Sequence, residues 1–200
     1  MTHNLCASSY RLPTMTHNLA GDTMAQAKID RIVYKGAFLE DGKKRCVIAL
    51  GIPEDAEVVS EDCINGKERA SKAITLGIAS MSYMDDVDVE KQTIVVHPLW
   101  HRHAVALFYR TNGYYEYNVG HLQTPWDMFD PNPHVTCASG IHFFQEVEMA
   151  VKYGMTNGKR FIKNNKAKVK GTERVVKFAF EQAERHDNGQ RLLLWPSTDH

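Results

Sequence analysis

The stretch Ala104-Val-Ala-Leu-Phe-Tyr-Arg-Thr-Asn-Gly-Tyr-Tyr-Glu-Tyr-Asn-Val-Gly-His121 decides the fold class. Two runs of aromatic and β-branched residues flank Asn112-Gly113, a pair that tolerates positive φ and signals a type I′ turn. A two-residue loop sets Thr111 opposite Tyr114, Arg110 opposite Tyr115, Phe108 opposite Tyr117, Ala106 opposite Val119 and Ala104 opposite His121. Period two puts the last four pairs on one face, with Leu107, Tyr109, Glu116 and Asn118 on the other. The face carrying Phe108, Tyr117 and Val119 is the expected core face, with His121 at its edge.

Working outward, Asp30–Tyr34, Arg45–Leu50, Ala73–Ile78 and Thr93–Val96 read as further strands. Pro53 ends the second and Pro98 breaks the last, because proline donates nothing to a ladder. A polar loop precedes Ala73. Beyond the Pro125–Pro133 connection, Ser139–Phe144 reads as a strand and Glu146–Tyr153 as a short helix burying Val147, Ala150 and Val151, stopped by Gly154. A long amphipathic helix spans Glu173–His186, with Val175, Val176, Ala179, Phe180 and Ala183 as its apolar positions and Asp187-Asn188-Gly189 as its stop. Arg191–Trp195 is a last strand or an apolar tail available for assembly.

These elements imply a single α+β domain, mainly antiparallel sheet, with a short helix after the Gly-Ile-His-Phe-Phe strand and one long C-terminal helix. Residues 1–25 form an extension in which Met1–Leu5 recurs at Met15–Leu19; 26–155 the β-rich core; 156–171 a basic linker; 172–200 the helix and tail. The 24 lysines and arginines balance the 24 aspartates and glutamates, so no global field draws the chain to nucleic acid or anionic membrane. Cys6, Cys46, Cys63 and Cys137 form no C-x-x-C, which fits a reducing cytoplasm. No run approaches the roughly 20 apolar residues of a membrane span, so no membrane partner is expected.

Lys44–Ala56, Arg69–Ala73 with Ile78, Tyr117–Gly120, Phe129-Asp130 and Cys137–Phe144 with Ala150 together resemble an uncharacterised domain of giant viruses and phages. In many members that domain follows pentapeptide repeats. The resemblance implies no assigned activity. This chain departs from the pattern in lacking the repeats and in carrying His97-Pro-Leu-Trp-His-Arg-His103.

Four chemical readings compete with plain core packing. Tyr117 and His121 could face Ser139, His142, Phe144 and Tyr153 across a cleft and hold a flat cationic ring, as ADP-ribosyltransferase-like enzymes hold nicotinamide; Glu116, Glu146 and Glu148 would be the candidate carboxylates. His101 and His103, two apart, could ligate a metal with His97, His121, Cys137 or His142, although histidines in such loops more often form a hydrogen-bonded cluster. Cys137 could be a thiolate activated by His121 or His142, although a small residue entering a buried strand is the simpler account. Lys159, Arg160, Lys163, Lys166, Lys168 and Lys170 could contact phosphates, although charge runs usually form solvated loops. The expected role is a small accessory protein of viral or phage type that binds a macromolecular partner or assembles with itself. The alternative is an enzyme processing NAD or a related nucleotide. The main reading carries no cofactor and no metal.

Overall fold

The computed structural model describes residues 27–39, 44–60, 66–84, 93–108, 113–135, 138–156 and 168–192. Among them are the strands β1 (Ile29–Leu39), β2 (Arg45–Pro53), β3 (Val58–Ser60), β4 (Lys67–Ala70), β5 (Ala73–Met84), β6 (Thr93–His101), β7 (His103–Phe108), β8 (Gly113–Asn118), β9 (Leu122–Gln123), β10 (Ile141–Phe144) and β11 (Lys168–Lys170). The helices are α1 (Val147–Thr156) and α2 (Thr172–Asp187). The sheet is mixed, because β11 runs parallel to β6 while the other pairings among the described residues are antiparallel.

The ladder returns on itself. β1 pairs with β2, β2 with β5 and β5 with β6; one residue later, at Arg102, the chain bends into β7, which pairs back onto β1 through Leu39 and Ala104. Closure of this kind leaves the central strands without free edges. It also makes two apolar cores. The inner one gathers Val33, Ala37, Cys46, Ile48, Leu50, Ile78, Ala104, Ala106, Tyr117, Ile141 and Phe143. The outer one lies under the helices and joins Tyr34, Val47, Leu76, Ile94, Phe144, Ala150, Val151, Val175, Ala179 and Leu192. β2 feeds both, which is why its residues from Cys46 to Pro53 are buried without alternation.

The hairpin forms with a longer loop than Asn112-Gly113 suggests. Ala104 faces Tyr117 and Ala106 faces Tyr115, so each β7 residue meets a partner four positions earlier than a two-residue turn dictates. Gly113 is already part of β8. An even shift keeps every side chain on its face, so Ala104, Ala106, Tyr115 and Tyr117 still point together. Packing decides the register: the Tyr117 ring, 2 % exposed, fills the interior beside the small Ala104.

Other boundaries move for similar reasons. β6 does not stop at Pro98: Ala79 faces Trp100 and Met81 faces Val96, so His97 to Leu99 bulge opposite Ser80 and the proline sits where the ladder needs no donor. α1 runs through Gly154 to Thr156 instead of ending there, at a cost of about 1 kcal/mol for glycine in a helix. In α2 the buried stripe is Val175, Phe178, Ala179, Gln182, Ala183 and His186, while Phe180 is 56 % exposed. That stripe follows helical phase strictly and therefore takes in a glutamine and a histidine. The polar segment before Ala73 contains β3 and β4, and β4, Lys-Glu-Arg-Ala, is buried at all four positions. Lys168 and Lys170 lie on β11, an edge strand.

Candidate functional site

Arg69 is the most deeply buried charged residue described, at 0 % exposure. It sits in the middle of β4, opposite His142 of β10 on one side and Val59 of β3 on the other. Its guanidinium reaches out of the sheet into the loop after β9. Nε and a terminal NH₂ both donate to the Asp130 carbonyl at 3.1 Å, the same terminal nitrogen donates to the Asn132 carbonyl, and the other reaches the Val135 carbonyl at 3.4 Å. A planar five-donor fork suits several carbonyls at once, whereas a lysine would not.

The loop closes around that fork with its own short-range bonds. Asn132 N–H donates to the Asp130 carboxylate at 2.9 Å and His134 N–H to the Asn132 side chain at 3.0 Å, two successive Asx turns. Asp130 N–H binds the Ser139 carbonyl, and the Ser139 hydroxyl donates to the Asp127 carbonyl at 2.9 Å. Gly140 completes the packing: a Cβ there would lie 2.9 Å from both Cβ and Cδ of Arg69. Arg69, Asp130, Ser139 and Gly140, which come from three separate motif stretches, are therefore parts of one structural knot.

What the knot displays is apolar. Trp126 is 56 % exposed, Met128 87 %, Val135 37 %, and Leu122 at the head of the segment 55 %. From Thr111 to Val151 the chain has no lysine or arginine but carries Glu116, Asp127, Asp130, Glu146 and Glu148. The result is an exposed apolar stretch on a loop held by Arg69 and Ser139.

The inner core holds a second unusual cation. Lys35 projects from β1 and donates from Nζ to the His142 carbonyl at 3.0 Å, with the ammonium 5.9 Å from the Tyr117 ring centre. Burial, and then repulsion from Lys67, lower its pKa to about 8. Burial, and then Tyr115, push the Tyr117 hydroxyl well above its ordinary value, so it is neutral beside the amine. In the unfolded chain Lys35 keeps its proton to about pH 10.5, so above pH 8 the unfolded state binds more protons and folding gains stability as pH rises. The gain is at most about 1.4 kcal/mol per pH unit. Tyr34 and Tyr115, raised to about 12, oppose it once unfolded tyrosines ionise near pH 10. Urea midpoints measured from pH 8 to 10 should therefore climb in the wild type, and Lys35→Met should flatten the climb; parallel profiles would refute this assignment.

The structure separates the residues expected to line one cleft. Tyr117 belongs to the inner core, whereas Phe144 and Tyr153 pack in the outer one. The Phe144 and Tyr153 rings lie 5.2 Å apart, tilted by 50°; a third ring between them would need roughly 7 Å, two carbon contact distances. His121 is exposed, and its main chain clamps onto Thr75. Ser139 belongs to the knot, and His142 Nε2 bonds the Ala138 carbonyl at 2.8 Å. His101 and His103 flank the bend at Arg102 rather than sharing a strand; His103 lies 3.8 Å from Glu116, and His97 pairs with Ser82. Among the described residues no three His, Cys, Asp or Glu gather as a metal site. Cys137, Lys159, Arg160, Lys163 and Lys166 lie outside the described residues, while Lys168 and Lys170 are exposed.

An open cleft does form at the end of β4 and β10. Gly66, Glu68, Phe144, Gln145, Glu146 and Met149 line about 410 Å³. Glu146 was one of three equivalent carboxylate candidates, and the fold places it here. Glu68 was missed because a lone acid in a polar run carries no sign that β4 is buried. Arg69 and Gly140 did leave a signal, since both stand in the motif stretches.

A family model described as a family of unknown function, DUF5758, matches residues 22–150. No curated protein and no solved structure matches the chain. Among the described residues no helix is long and apolar enough to cross a membrane.

Proposed function

Because the chain belongs to DUF5758, a family of unknown function, its role has to be read from its own residues, and we propose that it is a protein-binding module, an accessory protein of the viral or phage type its motifs resemble, that assembles with a second copy of itself through the Trp126–Met128 loop. The observation that carries this reading is the conjunction of a fully buried Arg69 bonded to the Asp130 and Asn132 carbonyls, a Ser139 hydroxyl bonded to the Asp127 carbonyl, and Trp126 and Met128 exposed on the same loop. A loop that already has its bound shape gives up little conformational entropy on docking. Tryptophan is the residue type most often found as an energetic anchor at interfaces, and methionine adapts to an imperfect fit. Two copies also meet without net repulsion, because the formal charge is zero.

A photo-crosslinking benzoylphenylalanine in place of Met128, in the purified chain, tests this directly. The expected product is an adduct of twice the chain mass, absent with the same label at exposed Glu181 of α2 and lost on adding Trp126→Ser. Equal yields at the two labelled positions would sink the reading. Trp126→Ser should still unfold in one cooperative urea transition, and the crosslinking is run below its midpoint, so loss of the adduct from a folded variant would report binding and not unfolding.

A further inference from the structure

We infer that the cleft at the end of β4 and β10 is a binding site for a protonated primary amine on a short apolar stem. The argument begins with Glu68. Its side chain is 9 % exposed, and one carboxylate oxygen, Oε1, accepts from the Ser60 hydroxyl at 3.1 Å and from Gln145 Nε2 at 2.9 Å. Those two bonds fix the plane of the carboxylate. The other oxygen, Oε2, is enclosed and has no hydrogen-bond partner among the described residues. A buried carboxylate oxygen without a donor is costly to maintain, and protein interiors rarely leave one so.

The surroundings say which donor fits. Glu146 adds a second negative charge, and among the described residues neither lysine nor arginine lines the cleft. Phe144 and Met149 supply apolar wall, and Met149 stands in the first turn of α1 where its flexible side chain can follow a ligand. A cation with N–H donors meets the carboxylate, and its carbon stem lies along Phe144 and Met149. The volume of this open cleft, about 410 Å³, falls within the range of small-ligand pockets, which run from roughly 300 to 1,000 Å³. A metal ion fits less well, because no third donor of the His, Cys, Asp or Glu type joins the two carboxylates among the described residues. A quaternary ammonium fits less well too, because it has no N–H to give Oε2.

The chemistry is shared by a free polyamine and by a lysine side chain on a peptide, and one experiment separates them. Thermal unfolding of the 200-residue chain is followed in n-butylammonium chloride and in tetramethylammonium chloride at equal ionic strength. Butylammonium should raise the melting temperature and tetramethylammonium should not. Glu68→Gln, nearly the same shape without the charge, should weaken the apparent affinity about tenfold or more, the range of one charge-assisted hydrogen bond. Equal responses to the two salts, or an undiminished response in Glu68→Gln, would overturn the site; should that variant fail to fold, the comparison of salts on the wild type decides alone. Spermidine and an acetylated, amidated lysine are then compared, and the tighter ligand names the source. The inference stands apart from self-assembly: Trp126→Ser should bind butylammonium like the wild type, so either proposal can fail without the other.

Discussion

Arg69→Ala should cost about 3–5 kcal/mol, a large part of the roughly 5–15 kcal/mol that holds a domain together. Two effects add. The carbonyls of Asp130 and Asn132 lose their guanidinium donors, and hydrogen bonds to a charged group are worth about 1.5–3 kcal/mol; the emptied volume then removes the packing around Gly140. Urea unfolding is the measurement, with limited proteolysis between Asp127 and Val135 as the local readout. Arg69→Lys should fall between wild type and Ala, since one ammonium cannot span three carbonyls. Gly140→Ala alone should cost about 1–3 kcal/mol by overpacking, and less when Arg69 is already Ala, because the Cδ contact is then gone. Additive effects would mean that the two residues do not share a contact.

Gly171→Ala is the second large effect. Gly171 joins β11 to α2 with φ at +84°, and a Cβ there would lie 2.4 Å from the Val96 carbonyl oxygen. The left-handed backbone costs an L-residue about 1–2 kcal/mol, and the clash is with main chain, which cannot rotate away, so a further 1–3 kcal/mol is expected. Relief requires β11 to leave β6, because Lys170 pairs with Val95 beside the clash. Hydrogen exchange should show Ile94 and Val95 losing protection while β2 keeps its own. A stable variant with unchanged exchange would show that the β11–β6 pairing does not constrain Gly171.

The strand set was largely legible because β-branched runs bounded by Gly and Pro mark β1, β2, β5, β6 and the β7–β8 hairpin. The hairpin shows how local rules fail in register yet succeed in face: an even slip costs the turn its type but leaves Tyr117 inside. α2 shows the opposite error. Phe180 is more hydrophobic than Gln182, but helical phase, not hydrophobicity, decides which of them is buried. β4 was the least legible element. Lys-Glu-Arg in three successive positions looks solvated, and the ring of carbonyls around Arg69 and the bonds to Glu68 help to make its burial tolerable. Arg69 and Glu68 lie at the centre of the two most informative places in the molecule, and neither could be ranked before the loop and the cleft were seen. The exposed Trp126 sits in a proline-rich connection, where composition predicts a linker and gives no sign of a fixed display.

The return of β7 onto β1 has a consequence for how the chain is made. Leu39 must wait for Ala104, and the outer face of β5 and β6 must wait for α2, the helix that packs on it more than 70 residues later. Pairings so distant in sequence are slow to form, since the entropy of closing the loop is lost before any contact offsets it. During synthesis a long ribbon with open edges therefore stands exposed, bearing Ile94 and Val96 towards solvent. A ribosome-bound chain ending before Thr172 should cling to chaperones or to its neighbours, and release should follow only when the final helix emerges.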